Sequence, residues 1–240
     1  MSKHFRTEID GLKKKLLSLS AVVEESVRQA VRAVQERSTA LAQQVIESDY
    51  QIDLTEVEVE EDCLKILALY QPVAGDLRFI VAVLKINNDL ERIGDLAVNI
   101  AERAAFLAMK EPVDIPFDFP GMAEKAQAML RKSLDALVNL DPALAREVCI
   151  ADDEVDEINR AMYKQVKDGI RRHLSDLTSL IHLLNISCHL ERIADLATNI
   201  AEDVIYMVEG QIIRHRTEDY SSDSPRGTGP EGPSRENEFS

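Results

Sequence analysis

Residues 90–102 read Leu90-Glu91-Arg92-Ile93-Gly94-Asp95-Leu96-Ala97-Val98-Asn99-Ile100-Ala101-Glu102, and residues 190–202 repeat them. Only Gly94/Ala194 and Val98/Thr198 differ. A duplicated core keeps its apolar positions; this copy also keeps every charged one, which marks the block as a place to look for function. A weaker echo lies upstream, where residues 40–45 resemble residues 143–148 and Asp49/Asp53 match Asp152/Asp156. The upstream offset is 103 residues and the later one 100. The second copy is therefore shorter between its two blocks, as a trimmed inter-helix loop would be. Two copies of so long a unit indicate a duplicated domain rather than a solenoid.

The pattern around these blocks is helical. Phe5, Ile9, Leu12, Leu16, Leu19 and Val23 step by four and three, the seam of a helical bundle, and predict a first helix over about Phe5–Arg37. Ser38-Thr39 offers an N-cap, followed by a short helix to about Ser48 and a long one to Tyr70. Gln71-Pro72-Val73-Ala74-Gly75-Asp76 interrupts, with Asp76 as the cap of a helix over Leu77–Met109. Residues 111–120, with Pro112, Pro116 and Pro120, form the linker. The second half predicts helices over about 122–138, 142–150, 152–172 and 177–209, with Asp141 as an N-cap before Pro142. From Thr217 the chain turns to Gly, Pro, Ser and Glu, the composition of a disordered tail. No segment alternates with period two. The expectation is an all-α protein of two pseudo-symmetric three-helix bundles: residues 1–110, linker 111–120, residues 121–216, and tail 217–240.

Composition narrows the function. A formal net charge of −15 argues against nucleic acid and against a polybasic membrane anchor. No apolar run reaches membrane-spanning length, so direct membrane insertion is not expected. Cys63, Cys149 and Cys188 are scattered and read as small buried hydrophobes of a reducing cytoplasm.

On a helical wheel with Glu91 at zero, Asp95, Asn99 and Glu102 all fall within about 80°. Ile93, Leu96 and Ile100 lie opposite. The second half repeats this with Glu191, Asp195, Asn199 and Glu202. On the preceding helices Asp49, Asp53, Glu56 and Glu60 form a line, echoed more weakly by Asp152, Asp156, Asn159 and Tyr163. Like charges four residues apart cost a helix about 0.2–0.5 kcal/mol per pair, and no Lys or Arg relieves these stripes. The first part of the Glu91 helix is apolar nearly all round, which places the acids on a line that is buried a turn or two earlier. Clustered acids in that setting call for a cation. Oxygen donors without cysteine suit Mg²⁺, Mn²⁺, Ca²⁺, or iron or zinc. No histidine follows a glutamate at the Glu-x-x-His spacing of di-iron bundles; His173, His182 and His189 read as ordinary polar residues. Arg92 and Arg192 read as intra-bundle ion-pair partners. Arg78 is open between a helix-start salt bridge and contact with an anion or partner.

The run Gln71-Pro72-Val73-Ala74-Gly75-Asp76-Leu77-Arg78, then Asn88-Asp89-Leu90-Glu91-Arg92-Ile93-Gly94-Asp95, together with the duplication, resembles the PhoU family of phosphate-uptake regulators over about residues 3–215. The resemblance implies two three-helix bundles, with Glu/Asp-x-x-x-Asp motifs that hold multinuclear metal clusters. The motif lands on Asp49/Asp53, Glu91/Asp95, Asp152/Asp156 and Glu191/Asp195, with Asn99, Glu102, Asn199 and Glu202 as outlying candidates. It also implies a cytoplasmic, homodimeric, non-catalytic regulator. Such a protein would link the ATPase subunit of a phosphate ABC transporter to a phosphate-sensing histidine kinase and restrain the phosphate-starvation response. The second half departs from the family's turn, reading His173-Leu174-Ser175-Asp176-Leu177-Thr178, so any role of Arg78 belongs to one half. Two other readings stand beside this one: a carboxylate-bridged metalloenzyme, and a metal-free helical scaffold with a solvated acid face.

Overall fold

The structure, a computed structural model, describes residues 3–113, 118–172 and 176–210. They form six helices: α1 (Lys3–Gln35), α2 (Thr39–Tyr70), α3 (Gly75–Ala108), α4 (Phe119–Asn139), α5 (Pro142–Arg172) and α6 (Leu177–Glu209). There is no strand among the described residues. The proposed tail, residues 211–216 of the second bundle and His173 lie outside them.

The heptad positions of α1 build the first core: Phe5, Leu12, Leu16, Leu19 and Val23 are all buried. Helices α1, α2 and α3 pack on one another, as do α4, α5 and α6, and α3 packs along α6. One continuous apolar core therefore runs through both bundles. Helices α3 and α6 are antiparallel. Lys85, early in α3, meets Asp203, late in α6, while Phe106 near the end of α3 stacks on His182 near the start of α6. The repeated blocks thus face each other across a pseudo-two-fold relation at the centre of the molecule. No helix among the described residues is long and apolar enough to cross a membrane.

The caps follow the sequence in part. The Ser38 hydroxyl accepts from the Leu41 N–H (3.2 Å), and Asp141 accepts from Ala143 and Leu144 at 2.9 and 3.1 Å, with Pro142 opening α5. The expected breaks near Ser48 and Ile150 are absent; α2 and α5 each run unbroken. Neither junction holds a Gly or Pro, and the Ser48 hydroxyl donates back to the Val45 carbonyl (2.9 Å) instead of capping a new helix. Asp76 does not cap α3 either. The helix begins two residues earlier, at Gly75 after Ala74 with φ 51°, and Asp76 sits inside its first turn, where a carboxylate interacts favourably with the helix dipole. Helix α4 likewise starts at Phe119, capped by Asp118, whose carboxylate accepts from Gly121 N–H (3.0 Å).

Candidate metal centre

The site is built twice along the seam between the second and third helix of each bundle. In the first bundle, α2 buries Val45, Ile52, Val59, Cys63 and Ile66. Asp49 and Asp53 bracket Ile52 and sit at the edge of that buried face. Helix α3 buries Leu90, Ile93 and Ala97, which brings Glu91 and Asp95 to the same edge. Gly94 allows the two helices to approach closely. A Cβ there would lie 3.0 Å from Ile52 Cδ1 and 3.6 Å from Asp49 Oδ1. The second bundle has the reciprocal pair: Ala194 is paired by the repeat with Val155, smaller by one methylene.

The carboxylates feel one another. Burial raises the Asp49 carboxyl, and the charges of Asp53 and Asp95 raise it further. Glu91 is raised by burial and then by Asp95, Glu56, Asp53 and Asp49. Asp95 is raised by burial and Asp53. In the second bundle Asp152 is pushed up to about 6 by burial and by Asp195, Asp156 and Asp153, against a smaller opposing effect of the Thr198 hydroxyl. Glu191 and Asp195 are also raised by burial and by their acidic neighbours, with Arg192 holding both down in part. In each case the net effect disfavours the ionised form, which a bound cation would favour. Two observations bear on the fit of a metal. Asp156, Glu191 and Asp195 bring carboxylate oxygens within 4.8 Å of one another. Asp49 Oδ1 is buried with no hydrogen-bond partner among the described residues. A donor set of carboxylate oxygens suits a hard or borderline divalent ion or iron.

The outlying candidates separate. Asn99 and Asn199 line a cleft of about 360 Å³ above the α3–α6 crossing, together with Arg92, Asp95, Leu96 and their mates 100 residues on. The Asn99 amide donates to the Asp95 carbonyl (2.8 Å). Glu102 is exposed and pairs with Arg103 (2.8 Å). Glu202 is buried beside the Cys149 thiol rather than joining Asp156, Glu191 and Asp195. Arg92 approaches Asp89 at 3.8 Å. Asp156 pairs with Arg160, four residues on, at 2.9 Å, so the α5 stripe does have a basic residue that relieves it, against the expectation from sequence. Cys63 and Cys149 are buried, their thiols pushed up to about 12 by burial, which fits inert core residues.

Two residues take places that the sequence left unassigned. Glu56 joins the first cluster: its carboxyl is raised by burial, Glu60 and Asp53, and it accepts from the Asn87 amide (3.2 Å). Its counterpart Asn159 accepts from Ser187 (2.7 Å), so the inter-helix hydrogen bond is kept while the charge is not. The Asp49-Asp53-Glu56 spacing was the available signal. Arg78 forms no helix-start salt bridge among those described; its guanidinium lies across Gly210, the C-cap of α6, 3.3 Å from where a Cβ would stand.

Comparison with known proteins agrees with this architecture. The PhoU domain model matches residues 16–104 and again 119–204, one match per bundle. The phosphate-specific transport system accessory protein PhoU homolog of Aquifex aeolicus is 37% identical over 209 residues, covering 87% of this chain and 95% of that protein. The homolog of Pseudomonas aeruginosa is 35% identical over 218 residues, covering 90% and 89%. The crystal structure of PhoU from Pseudomonas aeruginosa superposes with a TM-score of 0.83, covering 86% of this chain and all of that one (100%). That of the phosphate transport system regulatory protein PhoU from Streptococcus pneumoniae gives 0.76 at 28% identity, covering 87% and 98%. Two tandem matches, one on each bundle, and relatives aligned over nearly the whole chain place this protein in the PhoU domain family.

Proposed function

We propose that this chain is a cytoplasmic, metal-binding regulator of phosphate uptake that acts on a phosphate transporter through protein contacts and performs no catalysis. The observation that carries the metal part is the doubled carboxylate cluster. Asp49, Asp53, Glu91 and Asp95 in one bundle, and Asp152, Asp156, Glu191 and Asp195 in the other, crowd like charges along the helix seam, with Asp53, Asp95 and Asp195 exposed and the rest half-buried. A metal would supply positive charge there and hold the second and third helix of each bundle together. The chain's own part is to present oxygen donors at a fixed spacing on two rigid helices. The regulatory part is supported by the names of the relatives, accessory proteins of phosphate-specific transport. The partners in this reading are the ATPase subunit of a phosphate ABC transporter and a phosphate-sensing histidine kinase, contacted by a homodimer.

Metal analysis of purified protein tests the first part, followed by thermal melts with EDTA and with added Mg²⁺, Mn²⁺, Fe²⁺ or Zn²⁺. Metal at a hundred times its dissociation constant stabilises by about 2.7 kcal/mol, a rise of several degrees for a chain of this size. The Asp95→Asn/Asp195→Asn double variant loses that rise; a double variant that keeps it refutes the ligand assignment. Pull-down of the transporter ATPase and of the kinase, with and without metal, tests the second part. Metal-dependent turnover of a phosphoester or of O₂ that Glu91→Ala abolishes would make the protein an enzyme instead.

A further inference from the structure

The outer face of α2 is apolar where its duplicate is not. Tyr50 is 69% exposed, Leu54 46%, Val57 49% and Leu64 54%. Their spacing of four, three and seven puts them within about 80° on one side of the helix, opposite buried Ile52, Val59, Cys63 and Ile66. Because α2 and α5 are both unbroken, the offset of 103 holds along their whole length. It places Asp153, Glu157, Arg160 and Lys167, all exposed, at the same positions of the second bundle. Exposed Ile150 and Tyr163 lie at the flanks of that side, but its centre is charged, so the fold tolerates charge at these four positions. Four large apolar side chains in a row on the other copy serve association rather than packing.

Charge selects the occupant. Glu47, Glu58, Glu60 and Glu61 flank or interrupt the stripe, and Lys65 is the one basic residue of α2. Lys65 pairs with Glu8 at 3.3 Å, and Lys15 of α1 pairs with Glu58 and Asp62 at 3.3 and 2.8 Å. A second copy laid on this face would set acids against acids, and each chain carries −15 overall. We propose that the outer face of α2 docks an amphipathic helix of a partner protein, with an apolar stripe flanked by lysine and arginine. Leu54 and Val57 form the apolar centre; Glu60 and Glu61, which stand apart from the Lys15 pairs, fix register by pairing with the basic flanks. This rests on α2 alone and not on metal binding.

Two synthetic helical peptides of equal length and apolar pattern test it, one flanked by lysine and arginine and one by glutamate. They are titrated into the full chain by calorimetry, with amide shifts mapped by NMR. The basic peptide binds and shifts α2 amides, the acidic one does not, and Leu54→Ser/Val57→Ser weakens binding at least about tenfold. These residues are exposed, so the variant keeps its melting temperature, and Glu157→Ala on α5 leaves affinity unchanged. Binding of the basic peptide that ignores Leu54 and Val57 would be charge attraction alone and overturns the proposal. So does the absence of binding, or a self-association of the chain that Leu54→Ser/Val57→Ser abolishes.

Discussion

Asp152 shows what the clusters do to stability. Its carboxyl is raised from an ordinary 3.8 to about 6, by burial first and then by Asp195. The native state therefore holds a proton between about pH 4 and 6 that the unfolded chain has released, and stability falls as pH rises through that window. The penalty is complete above about pH 6 and gone below about pH 4. With metal stripped by EDTA, Asp152→Asn should be more stable than the parent at pH 7.5 by about 1–2 kcal/mol, allowing for partial solvent screening. The difference should vanish by pH 4; thermal melts across that range that show a constant gap would rule the argument out. Gly94 gives a second expectation. Gly94→Ala gains about 1 kcal/mol in helix propensity but drives a methyl to 3.0 Å from Ile52, and overpacking costs about 1–3 kcal/mol. The single variant should be destabilised in urea, and Ile52→Val, which recreates the Ala194/Val155 pair, should restore it. Additive effects of the two changes would mean that the helices do not meet there.

At the scale of elements, the sequence shows most where periodicity and duplication coincide. The α1 seam, the Ser38 and Asp141 caps and the acid lines on α2, α3, α5 and α6 could be read from spacing alone, because each depends on neighbours within two turns. The false breaks at Ser48 and Ile150 fall where the buried face is continuous, through Val45, Ile52 and Val59 in α2 and Val148, Val155 and Met162 in α5, and that packing carries each helix across. Glu202 shows what spacing leaves out. The wheel gave its angle correctly, but only tertiary packing shows that Cys149 lies against it. Arg78 depends wholly on long-range structure, since its contact is with the far end of the chain. There Gly210 closes α6 with φ 75°, and the Arg78 guanidinium fills the space that a side chain at 210 would take. Gly210→Ala should cost about 1–2 kcal/mol, from the left-handed backbone and from displacing Arg78. Hydrogen exchange should quicken in the last turn of α6 and the first of α3 together; exchange confined to α6 would remove Arg78 from the account.

The whole molecule is a two-fold design that the α3–α6 interface breaks in detail. Lys85 pairs with Asp203 at 3.0 Å, the aspartate side chain only 2% exposed, and the lysine also lies over the Tyr206 ring. The repeat sets Asn185 and Arg103 in the equivalent places, so this ion pair exists once. On that other side Phe106 stacks on His182, and the His182 ring, partly buried, is held below its ordinary range by burial and by Arg103. A charged join at one end and an aromatic one at the other leave the bundles inequivalent while one apolar core spans both. Breaking a buried pair costs about 3–5 kcal/mol, and the partly exposed lysine reduces this to about 1–3 for Lys85→Met. Since α3 and α6 each contribute to the shared core, that loss should lower the stability of both bundles at once. Urea unfolding of Lys85→Met, followed by helix content and by fluorophores placed on α1 and α4, should stay a single transition of unchanged slope at a lower midpoint. Two separated transitions would mean that the bundles fold independently, with the lysine and aspartate acting as a clasp between finished domains.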